Sequence, residues 1–402
     1  MPSVSRKSER GLDWFTFLVA DIQTGFGPFL AIYLTTRHWN QADIGLILAI
    51  GSLAGLLSQL PGGWLVDAVP SKRRVTMFAV AGLGLSAFLI AMAPSFAGIL
   101  SAKLLHVASS SILGPAIGAI TLGLVGHAAV GPRLGRNARF ASIGSGTAAG
   151  AMGAIGFAIS PQAVFFVTAA LAIPAIVALS QINAREIDPV RADGGLAGET
   201  DVPALAVGKL LRNRSLIILT LCVFLFHSAN AAMLPLVGTE MTLRAGEWAS
   251  VLIALCIIVP QGIVALVAPT VGRLAVEKGR RPILIIGFAA LPMRAALLAT
   301  TGDPAVIIAA QVLDGVCAAV LGVLVPLSLA DISRGTGRFN LTQGLTASAT
   351  GVGAALSTTL AGYLATQFGA PTAFFALAMV AVTAFITVLV AMPETAEENE
   401  SR

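Results

Sequence analysis

Charge is scarce in this 402-residue chain: Asp, Glu, Lys and Arg make up 11% of it, against about 25% in a soluble globular domain. That shortage excludes a water-soluble fold of this size. Cysteine is nearly absent. Cys222, Cys256 and Cys317 all fall inside apolar runs, with no spacing for a metal site or a disulfide framework. They read as small buried hydrophobes. None of the four histidines sits in an H-E-x-x-H pattern or beside a nucleophile, which argues against an integral-membrane enzyme. There is no Walker A loop, so ATP is not the expected energy source. No metal and no cofactor are expected. The N-terminus lacks a cleavable signal pattern, because its first apolar run is long, carries Asp21 and has no small-residue cleavage site after it. The first helix is therefore expected to stay in the mature protein.

What fills the chain is apolar sequence: 56% of the residues are hydrophobic. A run of roughly 18 or more such residues is long enough to cross a bilayer as a helix. The runs are Trp14–Tyr33, Ile44–Leu65, Val75–Ala93, Phe96–Val125, Phe140–Ser160, Ala163–Ile182, Ser215–Gly238, Trp248–Val271, Pro282–Leu298, Ala305–Ala330, Leu341–Phe368 and Ala373–Met392. They are continuous rather than alternating, which excludes barrel strands, and a helix satisfies its own backbone groups in lipid. The expected fold is an all-α membrane protein with twelve transmembrane helices.

The net charge of +5 reports topology rather than a nucleic-acid partner. With the N-terminus in the cytoplasm, the outer loops hold only Arg37 and Arg244. Lys103 and Arg294 lie inside spans, and every other Lys and Arg of the 25, Arg402 included, falls on the cytoplasmic side. This asymmetry places both termini in the cytoplasm. The longest polar stretch, Asn183 to Arg214, contains Asp188-Pro189, Gly194-Gly195 and Pro203. It divides the chain into residues 1–182, a linker of 183–214 with a short surface helix near Ala204–Leu211, and residues 215–402. The end of the chain, from Glu394, reads as a solvated acidic tail.

The two halves echo each other. After the second span stands Gly63-Trp64-Leu65-Val66-Asp67-Ala68-Val69-Pro70-Ser71-Lys72-Arg73-Arg74. After the eighth stands Gly272-Arg273-Leu274-Ala275-Val276-Glu277-Lys278-Gly279-Arg280-Arg281. Gly63 aligns with Gly272 at an offset of 209. The loops after the fourth and tenth spans are both basic and glycine-bearing, with Asn137 in one and Asn340 in the other. The paired loops resemble the signature loop of the major facilitator superfamily, roughly G-x-L-A-D-R-x-G-R-R. The first copy keeps Gly63, Leu65, Asp67 and Lys72 but has Ala68 for the arginine and Pro70 for the glycine. The second keeps Gly272, Leu274, Ala275, Gly279, Arg280 and Arg281 but lacks the aspartate. The resemblance covers essentially the whole chain and implies two pseudo-symmetric six-helix bundles. It also implies a cytoplasmic gate built on Gly63, Asp67, Lys72, Gly272, Gly279, Arg280 and Arg281, with Asp67 as a latch. A glycine there lets helices approach closely, and an aspartate can pair with basic residues or a helix N-terminus.

A charge in the bilayer interior costs at least ~2.5–3.5 kcal/mol, so such residues tend to face a cavity. Asp21 lies in the first span, Lys103 and His106 in the fourth, His227 in the seventh, Arg294 in the ninth and Asp314 in the tenth. The resemblance implies that spans one, four, seven and ten line a central cavity. The expected substrate cavity is Asp21, Gln23, Lys103, His106, His227, Asn230, Gln261, Gln311 and Asp314. Lys103 and His106 share a helix face at i, i+3. They either pair with Asp314 or divide the ends of a zwitterionic substrate with it. Asp21 and Asp314 are the expected proton-coupling sites, Asp21 first, since burial penalises the ionised carboxylate. Arg294, on a usually peripheral helix, reads as snorkelling or structural. Glycines crowd the fifth span, but the segment Gly150–Gly156 lacks the proline of the G-P-x-x-G-G signature of drug–proton antiporters.

These features lead to a secondary active transporter in the bacterial inner membrane, a monomer moving a small organic solute by alternating access. Proton-coupled efflux is the leading expectation. Proton-coupled uptake of a metabolite, organic anion or metal chelate is the alternative. Nucleic acid is not an expected partner.

Overall fold

The computed structural model describes residues 4–24, 26, 28–92, 95–195, 204–245 and 249–396. Pro203 of the linker, the end of the acidic tail and Arg402 lie outside them. Membrane helix α1 comprises Arg6–Thr24 and Pro28–Thr36, followed by α2 (Gln41–Ala68) and α3 (Lys72–Met92). One 63-residue helical run, Phe96–Ala158, breaks at Gly126, whose φ of +69° is left-handed. It therefore holds two helices, α4 (96–125) and α5 (127–158). After them come α6 (Pro161–Ser180), α7 (Arg214–Asn230 and Met233–Ala245) and α8 (Ala249–Lys278). The chain continues through α9 (Arg280–Thr300), α10 (Pro304–Ile332), α11 (Phe339–Phe368) and α12 (Ala370–Ala391).

Ten stretches among the described residues are long and apolar enough to cross a membrane. One of them is the run that contains both α4 and α5, and α11 is a further helix whose Thr, Ser and Gly content keeps it below that apolar limit. Twelve membrane helices result among the described residues, as the sequence leads one to expect. Their starts are written in local chemistry. Asn40, Ser95, Ser160 and Asn213 each accept a bond from a backbone N–H three residues on, which satisfies a donor that the helix leaves open. Several helices run past their expected ends, α1 at its start and α7 and α8 at their ends, and the widest difference is at the start of α5. Residues 127–139 read as loop because they are basic, yet they form the first turns of α5. Arg, Leu and Ala are good helix formers, and polarity marks only the exit from lipid.

The chain forms two compact units. One comprises residues 1–130, 140–204 and 333–345, and the other 131–139, 205–332 and 346–402. In the first, α6 packs along α3 and α1 over a core that includes Phe15, Leu83, Ile120, Phe165 and Leu179. In the second, α10 packs on α8 and α9, and α12 on α9 and α7. The start of α11 thus belongs with the first unit and the start of α5 with the second.

Two glycine contacts repeat at the sequence offset. In the first unit a Cβ on Gly63 would collide with the carbonyl of Asn340, and one on Gly344 with that of Gln59. In the second, a Cβ on Gly272 would collide with the carbonyl of Gly131, and one on Gly135 with that of Ala268. Adding 209 to residues 63, 131, 59 and 135 gives 272, 340, 268 and 344, so the two sets are the same contact made twice. Asn340 therefore corresponds to Gly131 and not to Asn137, whose amide instead accepts from Arg133 Nε at 2.9 Å. Gly63→Ala and Gly272→Ala are each expected to cost about 1–3 kcal/mol in stability by overpacking. Gly150→Ala, with open space at its Cβ position, serves as the silent control in the same thermal melts.

Candidate functional site

In the first unit, the end of the first part of α1 and Phe26 just after it touch α4. Gln23 Nε2 donates to Ser110 Oγ at 3.3 Å, and the Phe26 ring lies against the His106 imidazole with centroids 3.9 Å apart. Asp21 is buried, 8% exposed, and no described residue gives it a hydrogen bond or an ion pair. His106 Nδ1 is likewise buried without a partner among the described residues. Lys103 turns its stem onto α2, where a Cβ on Gly51 would stand 2.7 Å from its Cε. Lys103 has no carboxylate partner among the described residues. Within its membrane spans this unit thus holds an acid, Asp21, and a cation, Lys103, neither with a counter-charge among the described residues.

The second unit is organised differently, around a residue that sequence reasoning set aside. Arg294 is 1% exposed and faces inward from α9. Its Nη1 donates to Asn230 Oδ1 on α7 and to Asp314 Oδ1 on α10, each at 2.6 Å, and its Nη2 to Gln311 Oε1 at 2.9 Å. Of the two readings of Arg294, snorkelling is therefore overturned and the structural one stands. A guanidinium has five donors, and here the bundle interior supplies acceptors from two neighbouring helices, so no route to the interface is needed. Three residues named from sequence, Asn230, Gln311 and Asp314, meet at this one side chain. Asp314 has its counter-charge within its own unit. His227 and Gln261 are half-buried, and no described residue hydrogen-bonds their side chains.

The signature loops have distinct anchors. In the first unit Asp67 faces the N-terminus of α11. Its Oδ1 accepts from the backbone N–H and side-chain Nδ2 of Asn340 at 3.1 and 2.8 Å, and its Oδ2 from the Leu341 N–H at 2.9 Å. These amides are among the orphan donors of a helix start, where an anion is favoured. Lys72 is 2% exposed. Its Nζ lies 2.6 Å from Asp193 Oδ1 and donates to the carbonyls of Val66 and Val69 at 2.7 and 3.0 Å.

In the second unit Arg280 Nε pairs with Asp331 Oδ2 at 3.0 Å and its Nη1 donates to Ala275 O at 2.8 Å. Gly279, at φ +89°, turns the chain into α9. Glu394 then receives the Arg280 and Arg281 N–H groups at 2.8 and 3.0 Å, and Arg281 Nη2 reaches Leu389 O. The tail therefore starts as a cap on α9 rather than as a free solvated segment. Burial works against the Glu394 charge, but the N–H donors of Ala396, Arg280, Arg281 and Thr395 outweigh it and hold the carboxyl below its usual range. Glu394→Ala is expected to cost about 1 kcal/mol, as loss of an N-cap does. With a depressed pKa, Glu394 lends its stability above the ordinary carboxylate range and loses it as pH falls through the depressed value. A melt repeated across acid pH reads both effects.

Asp193, Asp331 and Glu394 escaped sequence reasoning. Each stands in a polar stretch at a helix end, where no periodicity marks it.

The model of the Major Facilitator Superfamily matches residues 14–292 and 248–402. The chain belongs to the Major Facilitator Superfamily. It is 38% identical over 403 aligned residues to an uncharacterized MFS-type transporter, MT2531, of Mycobacterium tuberculosis, an alignment that covers 99% of this chain and 96% of the relative. In fold it resembles the human organic anion transporter MFSD10, with TM-score 0.73 at 15% identity, covering 95% of this chain and 99% of that one. It likewise resembles the superfamily transporter FucP in the outward conformation, with TM-score 0.74 at 15% identity and 95% and 97% coverage. The protein is thus a multi-pass membrane transporter of the superfamily and not an enzyme. Members bind small-molecule substrates within a membrane.

Proposed function

We propose that this transporter couples solute movement to protons through Asp21, working by alternating access in the bacterial inner membrane with both termini in the cytoplasm. The observation that carries this reading is a buried carboxylate in a membrane helix with no counter-charge among the described residues. Such a group exchanges a proton without first breaking an ion pair. Asp314, held by Arg294, has to break one, which leaves Asp21 as the coupling site and Asp314 as a fixed acceptor. His227 and Gln261, with Gln23 and His106, remain proposed solute-facing groups. The Asp67 contact on α11 is proposed as the latch of the cytoplasmic gate.

Lys103 favours a solute with an acidic group, because a desolvated cation without a resident anion gains most from one supplied by the substrate. An organic anion is also what the human fold neighbour carries. Export is the proposed direction, since an acid in the first helix is frequent among exporters of the superfamily. The test is flux into proteoliposomes for panels of acidic, basic, zwitterionic and neutral solutes, with and without an imposed proton gradient. Saturable flux of an acidic solute that follows the gradient and collapses with an uncoupler is expected. Flux indifferent to the gradient and uncoupler contradicts proton coupling, and transport confined to basic solutes contradicts the role of Lys103.

A further inference from the structure

The polar segment after α6 does more than join two halves. Residues 183–194 of it are bonded at several points to the basic end of the first unit. At its start, Asn183 N–H donates to Ser8 Oγ at 3.0 Å, and Glu186 accepts from the N–H and hydroxyl of Ser5. Arg73 Nη1 holds the carbonyl of Ile182 at 2.7 Å. In the middle, Asp188 N–H donates to Gly123 O at the end of α4 at 3.1 Å. A short helix, Pro189–Ala192, follows, capped by the Asp188 side chain. Its far end meets the segment that opens α11. Asn340 Nδ2 donates to Ala192 O at 3.1 Å, Phe339 N–H to Asp193 O at 3.3 Å and Gly335 N–H to Gly194 O at 2.6 Å. Gly194 has φ +89°, and a Cβ there would stand 3.1 Å from Ser333 O and 3.2 Å from Phe339 Cβ. A side chain at 194 is strained by the backbone conformation and crowds Ser333 and Phe339.

Asp193 ties these contacts to the signature loop. Its Oδ1 takes the Lys72 ammonium at 2.6 Å and lies 3.4 Å from the Asn340 amide. The same amide donates to Asp67. Asp67 and Asp193 therefore grip one side chain of α11 from two directions. The signature loop has Ala68 where the superfamily pattern carries an arginine, so it offers one cation fewer to the acids around it. Lys72, drawn inward to Asp193, is the cation present.

We propose that residues 183–194 form a strap that positions the first turn of α11 on Asp67, with Asp193 and Gly194 as its positioning residues. Release of α11 from Asp67 then requires release of the strap as well, so the linker is part of the cytoplasmic latch. This inference goes beyond the transport reading and needs neither the substrate nor the coupling ion.

Hydrogen exchange of the full-length protein in lipid nanodiscs, followed by mass spectrometry, reads the strap directly. The amides of Gly335, Phe339, Asn340 and Leu341 are bonded to the strap or to Asp67. In Asp193→Ala and in Gly194→Val, peptides covering 335–341 are expected to exchange at least about tenfold faster, the scale of losing a buried, hydrogen-bonded charge partner. Peptides from α3 and α6 should keep wild-type rates. Exchange at 335–341 unchanged in both variants overturns the strap, and so does acceleration spread evenly over the first unit.

A pH profile separates positioning from mere packing. Burial pushes the Asp193 carboxyl up to about 6, against the pull of Lys72 and the Asn340 amide. Asp67 is the other charged group facing it. A carboxyl with a higher pKa when docked than when free binds protons on docking, so docking strengthens as pH falls. Protection at 335–341, corrected for intrinsic exchange, should rise from about pH 7.5 to about pH 5.5. Asp193→Asn keeps an oxygen for the Asn340 amide, so it should retain more protection than Asp193→Ala and lose the part of the pH dependence that Asp193 carries, while the part carried by Asp67 remains. An Asp193→Asn profile identical to wild type contradicts the role of Asp193.

Discussion

Asp21→Asn is expected to abolish uphill transport while leaving solute exchange across the membrane intact. A one-unit proton gradient is worth about 1.4 kcal/mol, or about tenfold in solute concentration ratio, for each proton moved. The wild-type protein should approach that ratio, and the variant's should fall to about one, because an amide binds the solute side of the cycle but carries no proton. Asn is close to Asp in size and takes a buried position with no partner among the described residues to lose, so folding and solute affinity should change little. Counterflow of labelled solute, which needs no net proton movement, checks this. If counterflow is lost along with accumulation, Asp21 binds solute rather than protons. If accumulation survives, the coupling group lies elsewhere.

The second large effect is on stability. Arg294→Met removes a 1%-exposed guanidinium and leaves the acceptors of Asp314, Asn230 and Gln311 inside the second unit with no donor. Breaking a buried pair by deleting one partner costs about 3–5 kcal/mol, because the remaining charge is stranded. The expected result is a large fall in the melting temperature of the purified protein. Adding Asp314→Asn to that variant removes the stranded charge and should recover a substantial part of the loss, since neutralising the whole pair is far milder than breaking it. A single variant that melts like wild type would mean that Arg294 contributes no net stability. A double variant no better than the single one would place the loss in packing of the arginine stem rather than in the charge.

These two sites differ in how far the sequence revealed them. The position of Asp21 could be found by inspection, because a carboxylate inside an apolar run is conspicuous, whereas its having no partner among the described residues could not be read from the sequence. Arg294 was equally conspicuous, and a structural role was one of its two readings, yet its partners were not legible. Helical spacing reports neighbours on the same helix, whereas the acceptors of Arg294 come from α7 and α10. The twelve helices followed from run length alone. The offset of 209 between Gly63 and Gly272 carried further than the motif itself, since it also superposes contacts at Gly131 and Asn340 that the basic loops did not suggest. Residues 127–139 failed as a loop because polarity reports where lipid ends and not where helix ends. Asp193 was invisible for a related reason. Outside the bilayer a carboxylate is common, and only the path of the strap brings this one to Lys72 and Asn340.

The most direct test of the account is to watch protons move with the solute. Proteoliposomes loaded with a pH-sensitive dye, given transported solute and no imposed gradient, should show a change in internal pH with the wild-type protein. With Asp21→Asn the same solute entry is expected under counterflow, but no pH change. A wild-type protein that moves its solute with no proton, or an Asp21→Asn protein that moves protons as the wild type does, contradicts it.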